Sequence, residues 1–214
     1  MQIFPRSANW IARLSLIGLA LAIPIFVGLW ALSLQSPVNT GVGTPIEQPI
    51  GFSHEIHAGT LGLDCRYCHT SVENSSFAGM PSTQQCMTCH AQIVQGIPDI
   101  EALAASLNSG TPVSWVRVDQ LPDYVYFDHS AHVQGGIACE TCHGRVDQMS
   151  VVYKTQAMTM QWCISCHSNP QPNVRPEDAV FTMGWQPTAA DQQAERIYTT
   201  VETQHLTDCD VCHR

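Results

Sequence analysis

Charge is scarce in this sequence. Only 13 % of its 214 residues are charged, and Lys and Arg together number 9, about half the usual charged share. The formal net charge of −9 leaves no basic patch for phosphate contacts, which excludes nucleic acid as a partner. With 44 % hydrophobic residues the chain is not disordered by composition. Something other than protein charge must therefore cover much of it, and membrane, cofactor and partner subunits are the candidates.

A second long apolar run is missing; the first lies near the N-terminus. Leu14–Leu34 carries no charge over 21 residues, roughly 31 Å as a helix, one bilayer core. Pro24 lies within it, and Trp10 and Trp30 stand near its two ends. Arg6 and Arg13 precede it and the next charge is Glu47, so the N-terminal side is expected inside and the remainder on the outer, periplasmic face. The alternative is a cleaved signal peptide, for which the run is long. The expected organisation is an anchor over 1–35, a Pro/Gly/Thr-rich linker over 36–49 and one domain over 50–214.

No cysteine stands outside a single repeated phrase. All ten occur as Cys-x-x-Cys-His, at Cys65/Cys68/His69, Cys86/Cys89/His90, Cys139/Cys142/His143, Cys163/Cys166/His167 and Cys209/Cys212/His213. Two thiols three positions apart can each form a thioether to one haem, and the adjacent His then reaches its iron; this is the attachment phrase of c-type haem. Zinc ribbons use Cys pairs without requiring that His, and disulfides would not impose one spacing on ten residues. Five covalent haems c are therefore expected, with His69, His90, His143, His167 and His213 as proximal ligands.

The other five histidines match the irons in number. His54 and His57 lie in Phe52-Ser-His-Glu-Ile-His57, and His129 and His132 in Phe127-Asp-His-Ser-Ala-His132. Each phrase is followed within six or seven residues by one Cys-x-x-Cys-His and, 16 to 19 residues later, by a second. Segments 52–90 and 127–167 thus form an internal repeat of two haem sites each, and 205–213 holds an unpaired fifth. On a helical turn, i and i+3 diverge by about 60°, so one His can ligate its own module's haem and the other a neighbour. The fifth distal ligand is His205 or Met160, with Met80 and Met183 as weaker candidates; Met would raise that haem's potential.

About 165 residues for five haems leaves no room for an independent apolar core. The expected fold is mainly α with long loops: one transmembrane helix plus a haem-cored cytochrome c domain of little regular secondary structure, whose folding depends on haem attachment. Glu101–Leu107 and Asp191–Thr200 read as helices, and Tyr124–Phe127 as a short extended piece. No run of alternating strands is visible. No Cys-x-x-Cys-Lys occurs, and no catalytic residue is expected; the chain reads as a conduit. The alternative is a self-sufficient anchored quinol dehydrogenase, for which Glu55 or Asp64 would be the ionisable residue near the first haem.

The phrases F-S-H-x-x-H, D-C-R-Y-C-H-T-S-V-E, F-A-G-M-P, C-M-T-C-H, W-V-R-V, L-P-D-Y-V-Y-F-D-H-S-A-H-V, G-I-A-C-E-T-C-H-G and L-T-D-C-D-V-C-H-R resemble the pentahaem c-type subunit of alternative complex III, a bacterial quinol:electron-acceptor oxidoreductase. The His-x-x-His modules are similar to those of class III multihaem cytochromes. The resemblance implies a cytoplasmic-membrane complex in which electrons leave menaquinol through an iron–sulfur subunit. They would then pass this chain toward a monohaem cytochrome c subunit or a soluble periplasmic acceptor. His205 departs from the family pattern, which keeps Met160 in play.

Overall fold

The computed structural model describes residues 4–188, 191 and 205–213. The chain divides into two compact units, 1–42 and 43–214. The expected helix Asp191–Thr200 lies outside the described residues apart from Asp191.

The first unit is helix α1 (Arg6–Leu34) followed by the short α2 (Pro37–Thr40). Pro5, extended at φ −64°, precedes α1, and Pro24 sits inside it. A proline within a helix removes one backbone hydrogen bond, yet the helix continues for ten residues beyond it. Its apolar side chains are exposed all round, from Leu14 to Leu34. A helix apolar on every face finds its solvent in lipid or in a partner. Ser7–Leu34, with a mean hydropathy of 2.3 over its most apolar stretch, is long and apolar enough to cross a membrane.

The second unit is helical, with no strand among the described residues; two isolated bridges, Pro45 to Tyr153 and Ile137 to Val174, are its extended pairings. Most of its helices are short and built around cysteine motifs: α3 (Cys65–Cys68), α4 (Thr83–His90), α7 (Cys139–His143), α8 (Met160–His167) and α9 (Cys209–Cys212). Helices of one or two turns are marginal alone, and side-chain caps help to start three of these. Asp64 accepts from the Arg66 amide, Ser82 from that of Gln85 and Thr159 from that of Trp162. Asp128 does the same for α6 (His129–Gln134). Such caps contribute about 1 kcal/mol each.

The longest helix here is α5 (Pro98–Ser109), with Pro98 in its first turn and Gly110 left-handed at its C-terminus. It contains the expected Glu101–Leu107 helix. Its Ile100 and Leu103 pack with Ile50 against Cys86, Met87, Val113 and Trp115. Elsewhere protein–protein packing is thin. Val72, Ala138, Met149, Ala179 and Val180 complete the buried apolar side chains, and no polar residue is buried, among the described residues. Tyr124–Phe127 differs from the extended expectation: Tyr124 lies in a turn, closed by the Val125 amide on Pro122 O, and irregular chain follows.

The two repeat modules lock into each other reciprocally. The Glu55 amide donates to Met149 O, and the Ser130 amide donates to Ser75 O. Met149 and Ser75 each stand ten residues after the first cysteine of their module. Glu55 and Ser130 occupy matching places beside the first His of each His-x-x-His. The contact is thus self-complementary within one chain, as in a two-fold dimer. Around Glu55 the backbone makes a wide, π-type turn (Glu55–Thr60), a form frequent at functional sites. Gly59 in this turn lies so close to the other module that a Cβ would stand 2.1 Å from the Asp147 carbonyl oxygen. Gly59→Ala is expected to destabilise the protein by about 1–3 kcal/mol, read as a lowered midpoint in denaturant unfolding; an unchanged midpoint would contradict the close approach.

Candidate metal centres

The described histidines share one orientation device. His57 Nδ1 donates to Ser53 O (2.8 Å), His69 to Gly79 O (2.7 Å), His129 to Ser76 O (2.8 Å) and His132 to Asp128 O (2.6 Å). His167 donates to Leu206 O (2.8 Å) and His213 to Tyr124 O (3.0 Å). His143 donates to the Asp119 carboxylate (2.8 Å), and His205 to that of Asp208 (2.9 Å). A carbonyl or carboxylate only accepts, so Nδ1 carries the proton and the Nε2 lone pair is left for a metal. His54 Nδ1 and His90 Nδ1 are buried without a protein partner.

Imidazole rings face each other in pairs. The ring centres lie 6.1 Å apart for His57 and His90, 6.4 Å for His129 and His143, and 6.0 Å for His132 and His167. Two metal–nitrogen bonds of about 2 Å plus the half-widths of two five-membered rings come to roughly 6 Å, so each gap has the size for one metal ion between two imidazoles. The His129 and His143 rings are also nearly parallel, at 5°.

Phe52 and Phe127 organise the two His-x-x-His turns alike. Phe52 stands edge-on to His54 (4.8 Å, 89°) and stacks on His57 (4.5 Å, 26°). Phe127 stands edge-on to His129 (4.7 Å, 89°) and stacks on His132 (4.5 Å, 29°). The i, i+3 spacing sends the two histidines of a turn in different directions, and the phenylalanine packs against both rings.

Burial, and next the charge of His69, push the His54 imidazole from its ordinary 6.5 down to about 4. Burial also lowers His129 and His132.

The thiols are also brought close together. The proximity of the Cys65 and Cys139 thiols, from different modules, lowers Cys65 and raises the better-buried Cys139. Burial, and then the charges of Cys166 and Cys163, raise Cys142 to about 11. Asp64 is engaged as the cap of α3 and as a partner of the Arg66 guanidinium, at 2.9 and 2.8 Å. The Arg66 hydrogen bond holds its carboxyl below the usual range.

The fifth motif differs from the others. His213 stacks on Tyr124 (5.9 Å, 26°) and, like His69, has no imidazole pairing of the kind seen for His90, His143 and His167 among the described residues. His205 has 78 % of its side chain exposed, and Met160 is 64 % exposed. Two roles escaped sequence reasoning. Asp119, in Trp-Val-Arg-Val-Asp, gives His143 a carboxylate partner where His69, His167 and His213 have carbonyls; its distance of 24 residues from His143 hid it. Gly79, in Phe-Ala-Gly-Met-Pro, is left-handed at φ 85° and presents its carbonyl to His69.

A family model described as cytochrome c7 and related cytochrome c matches residues 50–99 and 125–214. The chain belongs to this family of multihaem cytochromes c. The stretch left unmatched, 100–124, holds most of α5, the chain to Trp115, and Asp119. A relative 34 % identical over 177 residues, covering 69 % of this chain and 81 % of its own length, is the menaquinone reductase multihaem cytochrome c subunit of Nitratidesulfovibrio vulgaris. The cytochrome therefore binds haem c covalently and serves electron transfer. The donor set fits this group: paired thiols beside a histidine, and neutral imidazoles with Nε2 free.

Proposed function

We propose that the cytochrome carries five haems c and is the electron-relaying subunit of a membrane quinol:acceptor oxidoreductase of the alternative complex III kind. Thioethers form at Cys65, Cys68, Cys86, Cys89, Cys139, Cys142, Cys163, Cys166, Cys209 and Cys212. His69, His90, His143, His167 and His213 are the proximal ligands. His54, His57, His129 and His132 are the distal ligands of the first, second, third and fourth sites, and His205 or Met160 serves the fifth. The observation that carries this reading is the set of three imidazole pairs at 6.0–6.4 Å. Bound haem supplies an iron that holds or releases one electron. At the three paired sites the facing imidazoles would hold an iron from both sides, and the Nδ1 hydrogen bonds of His57, His129, His132, His143 and His167 would keep those rings in the ligating tautomer.

In this reading α1 anchors the chain in the cytoplasmic membrane with its N-terminus inside and the haem domain, 50–214, on the periplasmic face. Membrane-embedded subunits, an iron–sulfur subunit and a monohaem cytochrome c subunit are its partners. Electrons arrive indirectly from menaquinol and leave for a soluble periplasmic acceptor. A second reading has the same chain carrying electrons the other way, into menaquinone, and the name of the Nitratidesulfovibrio relative favours it.

Purification in mild detergent, followed by addition of menaquinol, tests both. The first reading predicts co-purifying iron–sulfur and polytopic subunits and haem reduction by menaquinol. Haems that menaquinone oxidises and menaquinol leaves oxidised support the second. A chain that purifies alone and is reduced directly by menaquinol contradicts both and points to a self-sufficient dehydrogenase.

A further inference from the structure

Sequence order and spatial order of the attachment sites differ. We infer that the five Cys-x-x-Cys-His sites stand in single file in the order second, first, third, fourth, fifth, with the second and the fifth at the two ends. This inference rests on the proposed reading of those motifs as haem sites.

The second site adjoins the first. His54 and His57 share one turn, and His57 faces His90 across 6.1 Å. Tyr67, inside the first motif, hydrogen-bonds Thr88 inside the second (3.1 Å), and the Gln85 side-chain Nε2 donates to Tyr67 O. The other side-chain bond leaving α4 runs from Thr83 to Ser106 in α5, away from every other motif.

The first site adjoins the third through the reciprocal lock between modules. The Glu55 amide donates to Met149 O and the Ser130 amide to Ser75 O across it, and His129 reaches back to Ser76 O at 2.8 Å. The third adjoins the fourth because His129 and His132 share one turn and face His143 and His167 respectively.

The fourth adjoins the fifth. His167 donates to Leu206 O (2.8 Å), three residues before Cys209. The Tyr126 amide donates to Cys212 O (2.8 Å), which ties the fifth motif to the strand of chain entering Phe127, the ring stacked on His132. The Cys163 thiol, raised first by burial, also feels the charge of Cys212.

The pseudo-two-fold of the modules explains the pattern. The first and third sites are the central pair, and the second and fourth flank them as symmetry equivalents. The fifth lies beyond the fourth and breaks the symmetry, so the two ends are chemically different and can meet different partners. That polarity follows from the unpaired C-terminal motif and not from any difference between the repeats.

Anomalous scattering at the iron edge from crystals of the haem-loaded protein tests the order. The expected result is five iron peaks in one file, each assigned by its Cys-x-x-Cys-His. Five peaks with the second beside the third or fourth, or the fifth beside the first, overturn the order and leave the haem reading intact. Fewer than five peaks overturn that reading and the order with it. Electron paramagnetic resonance of two end-site variants gives a second readout. Cys86→Ala with Cys89→Ala should perturb the resonance of one remaining iron, the first. Cys209→Ala with Cys212→Ala should perturb that of the fourth alone. Two or more perturbed irons in either variant contradict a single file.

Discussion

Replacing Cys139 and Cys142 together by alanine is expected to abolish accumulation of the folded cytochrome, whereas the same replacement at Cys209 and Cys212 should leave a folded protein with four haems. The contrast follows from position. The second unit buries few apolar side chains, so little besides the haems and the reciprocal lock holds it together. A folded domain of ordinary size has only about 5–15 kcal/mol to lose, and binding energy at a metal site that forms on folding is folding energy. Cys139 is half-buried and follows the fully buried Ala138 in the module that forms the lock, while Cys209 is exposed. Yield and haem-to-protein ratio in membranes from cells expressing each variant provide the measurement. Equal yields for the two variants would contradict a central role for the third site.

The second large effect concerns a single axial ligand. His132→Met should raise the potential of one haem of the five by on the order of 100 mV, because a thioether stabilises ferrous iron relative to imidazole. His132→Ala should open that iron and let about one haem in five bind carbon monoxide. Both follow from the 6.0 Å pairing of His132 with His167. The substitution removes the ring on which Phe127 stacks, but Phe127 keeps its edge contact with His129, so the third site should keep its spectrum. Spectroelectrochemical titration resolves the outcomes. No shift in any haem would show that His132 is not a ligand, and a shift in two would show that the turn moves as a unit.

Much of this was legible in the residues themselves. The uncharged run Leu14–Leu34 announced α1, and Pro98 and Gly110 bracket a helix whose apolar spacing is plain. Asp64, Ser82, Asp128 and Thr159 stand one residue before short helices where caps belong. The phrase Phe-x-His-x-x-His, occurring twice before a cysteine motif, marked the modules. What could not be read was which imidazole faces which, because that depends on the docking of two modules distant in sequence. The pairing of Glu55 with Met149 and of Ser130 with Ser75 leaves no local signature, since backbone amides and carbonyls are common to every residue. Asp119 was hidden for the same reason: a carboxylate in an irregular connection becomes a histidine's partner only through tertiary structure. The turn at Tyr124 was not read because its closing bond joins the backbone of Pro122 and Val125 and leaves no side-chain signal.

The central claim is that every paired-thiol motif carries a covalently attached haem. Intact-protein mass spectrometry of the membrane-extracted chain, with a pyridine haemochrome count on the same sample, tests it directly. The account predicts the polypeptide mass plus five haems and a matching ratio of five per chain. A bare polypeptide mass, or a ratio below five in fully matured protein, would contradict it.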